Sequence, residues 1–122
     1  MGASTATSLA AFAGNKAEAT FNMDFAPHFG MFKNAAPGGI FDELRFMADQ
    51  GFSAFEDNWI SRRDVALQEK MASVMGNRGI EMGVFVAHQI QWKEPNLAAG
   101  KEDTRAAFLE DIKKSVEVAK RV

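Results

Sequence analysis

From Phe21 onward the chain cycles three times through one unit: an apolar run, a loop, then an amphipathic stretch. A glycine restarts the cycle after each of the first two units. The apolar runs open at Phe21, Phe52 and Ile80, 31 and 28 residues apart. That is the length of a strand–helix–strand unit, whose crossover helix forces neighbouring strands to pair in parallel. The spacing therefore predicts an α/β fold of about three βα units with parallel strands.

The first run is residues 21–26 (FNMDFA), and Pro27, which has no N–H to give a ladder, is expected to end it. Ile40, Phe41, Leu44, Met47 and Ala48 then fall at helical spacing. Asp42 and Glu43 sit where a helix dipole favours acids, and Gly51 where a left-handed C-cap is expected. The second run is residues 52–56 (FSAFE). Ser61, with Asp64 three residues on, predicts the next helix start as a variant capping box. Leu67, Met71, Val74 and Met75 mark its apolar stripe, and Gly79 closes it. The third run, residues 80–87 (IEMGVFVA), ends at His88. A third helix is predicted from Asp103 or Thr104, with Leu109, Ile112, Val116 and Ala119 on its apolar side. The first two helix exits echo each other: Met47, three residues, Gly51, Phe52, and Met75, three residues, Gly79, Ile80.

Residues 1–19 are mostly Ala, Ser, Thr and Gly and are excluded from the fold. Ala11-Phe12-Ala13 has the A-x-A form of an export cleavage site, but no basic n-region precedes it. Two readings stay open, a disordered lead-in and the remnant of an export signal, and with them a cytoplasmic or a periplasmic location. No apolar run approaches the roughly 18 residues of a membrane span. The net charge is −2 and no basic block occurs, so a nucleic-acid partner is not supported. The chain has no cysteine, which removes disulfides, thiolate nucleophiles and Cys-based zinc sites. No G-x-G-x-x-G, P-loop or G-x-S-x-G occurs either.

A sheet of three parallel strands has two open edges, which folded proteins cover. The third helix runs to Lys120-Arg121-Val122 with no fourth strand after it. A (β/α)8 barrel takes roughly 250 residues. The expectation is that residues 20–122 form the N-terminal half of such a TIM barrel.

In parallel α/β arrays the chemistry sits at the C-terminal ends of the strands. His28 follows the first run. Glu56, Asp57, Asn58 and Trp59 follow the second. His88, Gln89, Gln91 and Trp92 follow the third. His28 is either a pocket residue or a group that orders its own loop. His88 is either a substrate contact or a satisfied structural histidine. Glu56 and Asp57 alternate, so only one can face a barrel interior; Asp57 or Asn58 also suits a cap. Trp59 and Trp92 suit an active-site wall or a covered apolar edge. The methionines read as core filler. Two histidines without a third do not make a metal site.

Residues 21–28 (FNMDFAPH), 51–56 (GFSAFE) and 79–88 (GIEMGVFVAH) resemble the N-terminal half of the hydroxypyruvate isomerase family. That family belongs to the xylose-isomerase-like TIM barrels, with sugar epimerases and the endonuclease IV type of repair enzyme. The resemblance spans roughly residues 20–122. It implies an aldose–ketose isomerisation: a proton leaves the carbon beside a carbonyl, an ene-diolate forms, and the proton returns to the neighbouring carbon. In the complete family enzyme a divalent metal, Mg or Mn, holds the two oxygens and paired glutamates move the proton. Those ligands and glutamates come from later strands. The resemblance therefore carries only His28, Glu56 and His88, as pocket wall. Asn58 and Trp92 join them from the residues alone. Catalytic residues and metal ligands stay unassigned, and no metal is expected on this chain by itself.

Three functions are weighed. The first is a hydroxypyruvate-isomerase-like fragment, inactive alone, whose parent acts on a small hydroxy-carbonyl compound or sugar. The second is a fragment of an endonuclease IV-like metal-dependent phosphodiesterase, against which the missing basic stripe counts. The third is a non-catalytic half-barrel that associates with a second copy or with a complementing C-terminal half.

Overall fold

The computed structural model describes residues 21–95 and 97–122. The lead-in of residues 1–19, with its export-signal reading, lies outside the described residues. Helices and short parallel strands alternate along the chain: α1 (Ile40–Asp49), β1 (Ala54–Phe55), α2 (Val65–Arg78), β2 (Glu81–Met82) and α3 (Glu102–Arg121). Short 3-10 turns stand at Ile60–Arg62 and Leu97–Ala99. Among the described residues no helix is long and apolar enough to cross a membrane.

β1 and β2 pair in parallel, Ala54 opposite Glu81 and Phe55 opposite Met82. The Glu81 N–H donates to the Ser53 carbonyl at 2.8 Å and the Gly83 N–H to that of Phe55 at 2.7 Å. A third segment joins the other edge of β1, where His28 bridges Glu56, again in parallel. There the Glu56 N–H donates to the Pro27 carbonyl and the Phe29 N–H to the Glu56 carbonyl, each at 3.0 Å. The spatial order is the His28 segment, β1, β2.

This shifts the first strand. Residues 21–26 were expected to form it and Pro27 to end it, but the pairing falls on residues 27–29. Pro27 is tolerated because only its carbonyl enters the ladder, so its missing N–H costs nothing. Residues 21–25 are held by side chains instead. Phe21 stacks on Phe52 at 4.9 Å, Phe25 meets Phe21 edge-on at 5.6 Å, and Asp24 accepts from the Ser53 hydroxyl at 2.7 Å. The third run also pairs over a shorter stretch than expected. Beyond Gly83 its carbonyls turn to side chains: Ser61 Oγ donates to the Val86 carbonyl at 3.0 Å and Ser115 Oγ to that of Ala87.

The helix limits follow from local chemistry. Gly51 (φ 90°) and Gly79 (φ 67°) turn the chain out of α1 and α2 through backbone space that other residues resist. The cap of α2 is Asp64, whose carboxylate accepts from the Leu67 N–H at 2.8 Å. Ser61, expected to be that cap, lies in the preceding 3-10 turn. The core packs Leu44, Met47 and Ala48 of α1 against Phe55 of β1, Met71 and Met75 of α2, with Ile60, Ile80 and Val118 closing it. Phe55 is fully buried; removing a buried ring of this kind costs roughly 3–5 kcal/mol.

The face of α3 differs from the expected one. Ser115 and Val118 are its buried residues, while Leu109 and Val116 of the apolar stripe are about half exposed. The inner face is fixed by polar contacts to the segment after β2. Besides the Ser115 bond, the Gln89 N–H donates to the Asp111 carboxylate at 3.0 Å.

Candidate functional site

Side chains alternate along a strand. Phe55 enters the helix-covered core, so Glu56 projects from the opposite face of the sheet. His28, in register with Glu56, shares that face. Both are half-buried. His28 Nδ1 lies 3.0 Å from the Phe29 carbonyl, which can only accept, so Nδ1 carries the hydrogen. In the neutral ring Nε2 is then left as an acceptor. An imidazole and a carboxylate thus stand on adjacent strands, on the face the helices leave uncovered.

Asp57 follows the alternation and turns inward. Its carboxylate is fully buried, accepts from the Trp59 N–H at 3.1 Å, and meets Arg63 Nε at 2.5 Å. Arg63 also lies over the Phe29 ring, 5.4 Å from its centre. Asp57 therefore braces the turn that leads into the 3-10 segment and, through Arg63, ties the first and second strand-exit loops together. Glu43 does the same for the first loop. It is buried on α1 and accepts from the Gly30 and Phe32 N–H groups at 2.8 and 3.3 Å.

The second and third strand exits enclose a cavity of about 280 Å³. Asn58, Trp59 and Arg62 line it from one side, Val86, Gln89, Ile90 and Trp92 from the other. The structure thus brings the expected residues Asn58 and Trp92 together. His28 and Glu56 sit beside each other at the neighbouring strand exits but do not line this cavity. His88 is placed elsewhere. Its ring meets Phe108 of α3 edge-on at 5.1 Å, and it lines an adjoining 140 Å³ cavity with Ser61, Asp111 and Lys114, on the other side of Arg62 and Gln89, which line both.

Arg62 was not singled out by the sequence reading. Its guanidinium lies 4.5 Å above the Trp59 ring and donates to Gln89 Oε1 at 2.8 Å. The signal that could have found it is the i, i+3 spacing of Trp59 and Arg62, which stacks them if the segment makes one helical turn. Among the described residues no three His, Asp or Glu side chains converge to hold a metal ion. The described side chains therefore offer no ready-made site for a divalent ion.

Comparison with protein-family models, with curated proteins and with solved structures gave no match.

Proposed function

We propose that this chain is the N-terminal half of a (β/α)8 barrel of the hydroxypyruvate-isomerase-like kind, inactive alone, and that His28, Glu56, Asn58 and Trp92 form part of its substrate wall. The observation that carries the barrel reading is the approach of the first segment to the third, across the strand between them. A Cβ on Gly83 would lie 3.1 Å from the Cβ of Ala26, although β1 separates their strands. In closed (β/α)8 barrels the interior is filled in layers drawn from alternate strands. Contact between positions on strands one and three, over strand two, is what such inward curvature requires.

The isomerase reading draws on the resemblance and on the rim chemistry. Proton transfer beside a carbonyl needs titratable groups facing one enclosed region. His28 and Glu56 share the uncovered face, and the Trp-lined cavity opens at the same strand ends. His88 is carried in this reading only as a support of the third exit, through Phe108.

The test is turnover of hydroxypyruvate with Mg2+ or Mn2+. The chain by itself should show none. Joined to the C-terminal half of a hydroxypyruvate isomerase, it should restore turnover, and Glu56→Gln should then lower kcat/KM by roughly tenfold or more. Turnover by the 122-residue monomer would refute the half-barrel; a folded but inactive completed barrel would refute the isomerase.

A further inference from the structure

We infer that the cavity between the second and third strand exits is a site for a planar nitrogen heterocycle of the adenine type, stacked against Trp59 and Trp92 and read at its edge by the amide of Asn58. The inference does not rest on the isomerase reading, whose titratable pair, His28 and Glu56, lies outside this cavity.

The chain has two tryptophans, and they stand on opposite walls of this one cavity. Both rings are open to water: Trp59 is 54% exposed and Trp92 86%. Trp59 is nevertheless held in place, because the Arg62 guanidinium lies 4.5 Å above its ring. An indole carries a large apolar area that stabilises only when it is covered. A flat ring placed between the two walls covers both indoles and is itself covered on both faces. Such stacking suits a nucleobase, since every base has a π-face.

Asn58 narrows the class of ring. Its side chain is half-buried in the wall and makes no hydrogen bond among the described residues. Gln89, on the other wall, gives its Oε1 to Arg62 and keeps its amide hydrogens for a ligand. A free carboxamide offers an acceptor and a donor side by side. Its complement is a ring edge with an amino group beside a ring nitrogen. Adenine has that edge, N6–H2 donating to Oδ1 and N7 accepting from Nδ2. Val86 and Ile90 complete the lining, and no carboxylate lies on it. At about 280 Å³ the cavity is at the lower end of the range for small-molecule sites, room for one bicyclic ring. The net charge of −2 without a basic block points the same way, to a single nucleoside or nucleotide and not to a nucleic-acid chain.

The two indoles are also the reporter. Intrinsic fluorescence of the 122-residue chain is titrated with adenosine, AMP, inosine and D-ribose, excited at the red edge of the indole band, where purines do not absorb. Adenosine or AMP should quench saturably, and the tighter of the two tells a nucleoside site from a nucleotide one. Inosine sets a carbonyl oxygen against Asn58 Oδ1 and should bind roughly tenfold more weakly than adenosine. D-ribose should give no saturable change. Trp92→Ala, read through Trp59, should weaken adenosine binding roughly tenfold or more, and Trp92→Phe should recover most of the loss. Asn58→Ala should bring adenosine down to the level of inosine. Lys114→Met, in the adjoining cavity, should leave binding unchanged. The Trp92 ring lies outside the core, so its variants should keep the parent circular dichroism. No saturable quenching by either adenine compound, equal binding of D-ribose, a preference over inosine that survives Asn58→Ala, or full affinity in Trp92→Ala would overturn the inference. None of these outcomes touches the isomerase reading, which is decided by turnover of the completed barrel.

Discussion

At the scale of single residues, the polar groups that hold the strand exits together are those a pattern reading passes over. Asp57 and Arg63 are six apart in the chain with nothing periodic about them. The structure makes them a buried pair at 2.5 Å. Asp57→Ala would leave Arg63 without its counter-ion and the Trp59 N–H without its acceptor. Breaking a wholly buried pair costs roughly 3–5 kcal/mol; Arg63 keeps some access to water, so about 2–3 kcal/mol is expected, read from urea unfolding. Gly83 is a second such residue. A Cβ there would press on the Phe55 carbonyl at 3.2 Å as well as on Ala26, and the backbone oxygen cannot swing aside. Gly83→Ala should cost about 1–3 kcal/mol by overpacking. An unchanged midpoint would mean that the first and third segments do not meet as described. Glu117 gives a pH prediction. The hydrogen bond from Lys120 holds its carboxyl below the ordinary value, with the Lys120 charge adding to the effect. Its small stabilising contribution is present above the unfolded carboxylate range and is lost as pH falls through the lowered value. Glu117→Gln should therefore differ from the parent near neutrality and converge with it in acid, in the helix signal followed by circular dichroism.

Among the elements, the helices are legible in the sequence and the strands only half so. Helix ends are written in local chemistry: Asp64 at the start of α2 and Gly79 at its end act within a few residues of themselves. Asp64→Ala should cost about 1 kcal/mol in a thermal or urea melt, by leaving the Leu67 N–H unpaired. Strand limits depend on partners far along the chain. Residues 21–26 carry a good strand composition, but the ladder with β1 begins at Pro27, because register is set by Glu56 on the neighbouring segment. The face that α3 turns to the core departs from its apolar periodicity for a related reason. Apolar periodicity points to Leu109, Ile112, Val116 and Ala119. The backbone beyond β2 has left the ladder, however, and its carbonyls and N–H groups must find other partners. Ser115 and Asp111 supply them, so α3 sits with Ser115 and Val118 facing inward and leaves Leu109 and Val116 of the stripe half exposed. Part of the candidate site was likewise legible, since strand exits announce Asn58 and Trp92. Arg62 and the displacement of His88 were not, because each depends on a contact with another element.

Across the whole molecule, that half-exposed stripe and the sheet border belong to one surface. The edge of β2 away from β1 carries no strand among the described residues. A groove of about 400 Å³ lies beside it, lined by Met75, Ile80, Met82 and Phe85 together with Ala119 of α3 and Val122 just past its end. Leu109 and Val116 lie half exposed on the same helix, and Val84 and Trp92 more so. An unpaired parallel edge beside apolar side chains is a surface on which other chains collect. The 122-residue chain should therefore associate as its concentration rises, and should bind a hydrophobic dye before any denaturant is added. Leu109→Glu with Val116→Lys places opposite charges on the outer side of α3 without entering the core. That double variant should keep the helix content and shift the sedimentation profile toward the monomer. If association arises from the β2 edge alone, the variant leaves it unchanged, and a charge at Val84 should act instead. A parent chain that sediments as one monomeric species at high concentration, melts cooperatively and takes up no dye would show that this surface needs no cover, and the half-barrel would lose its physical motive.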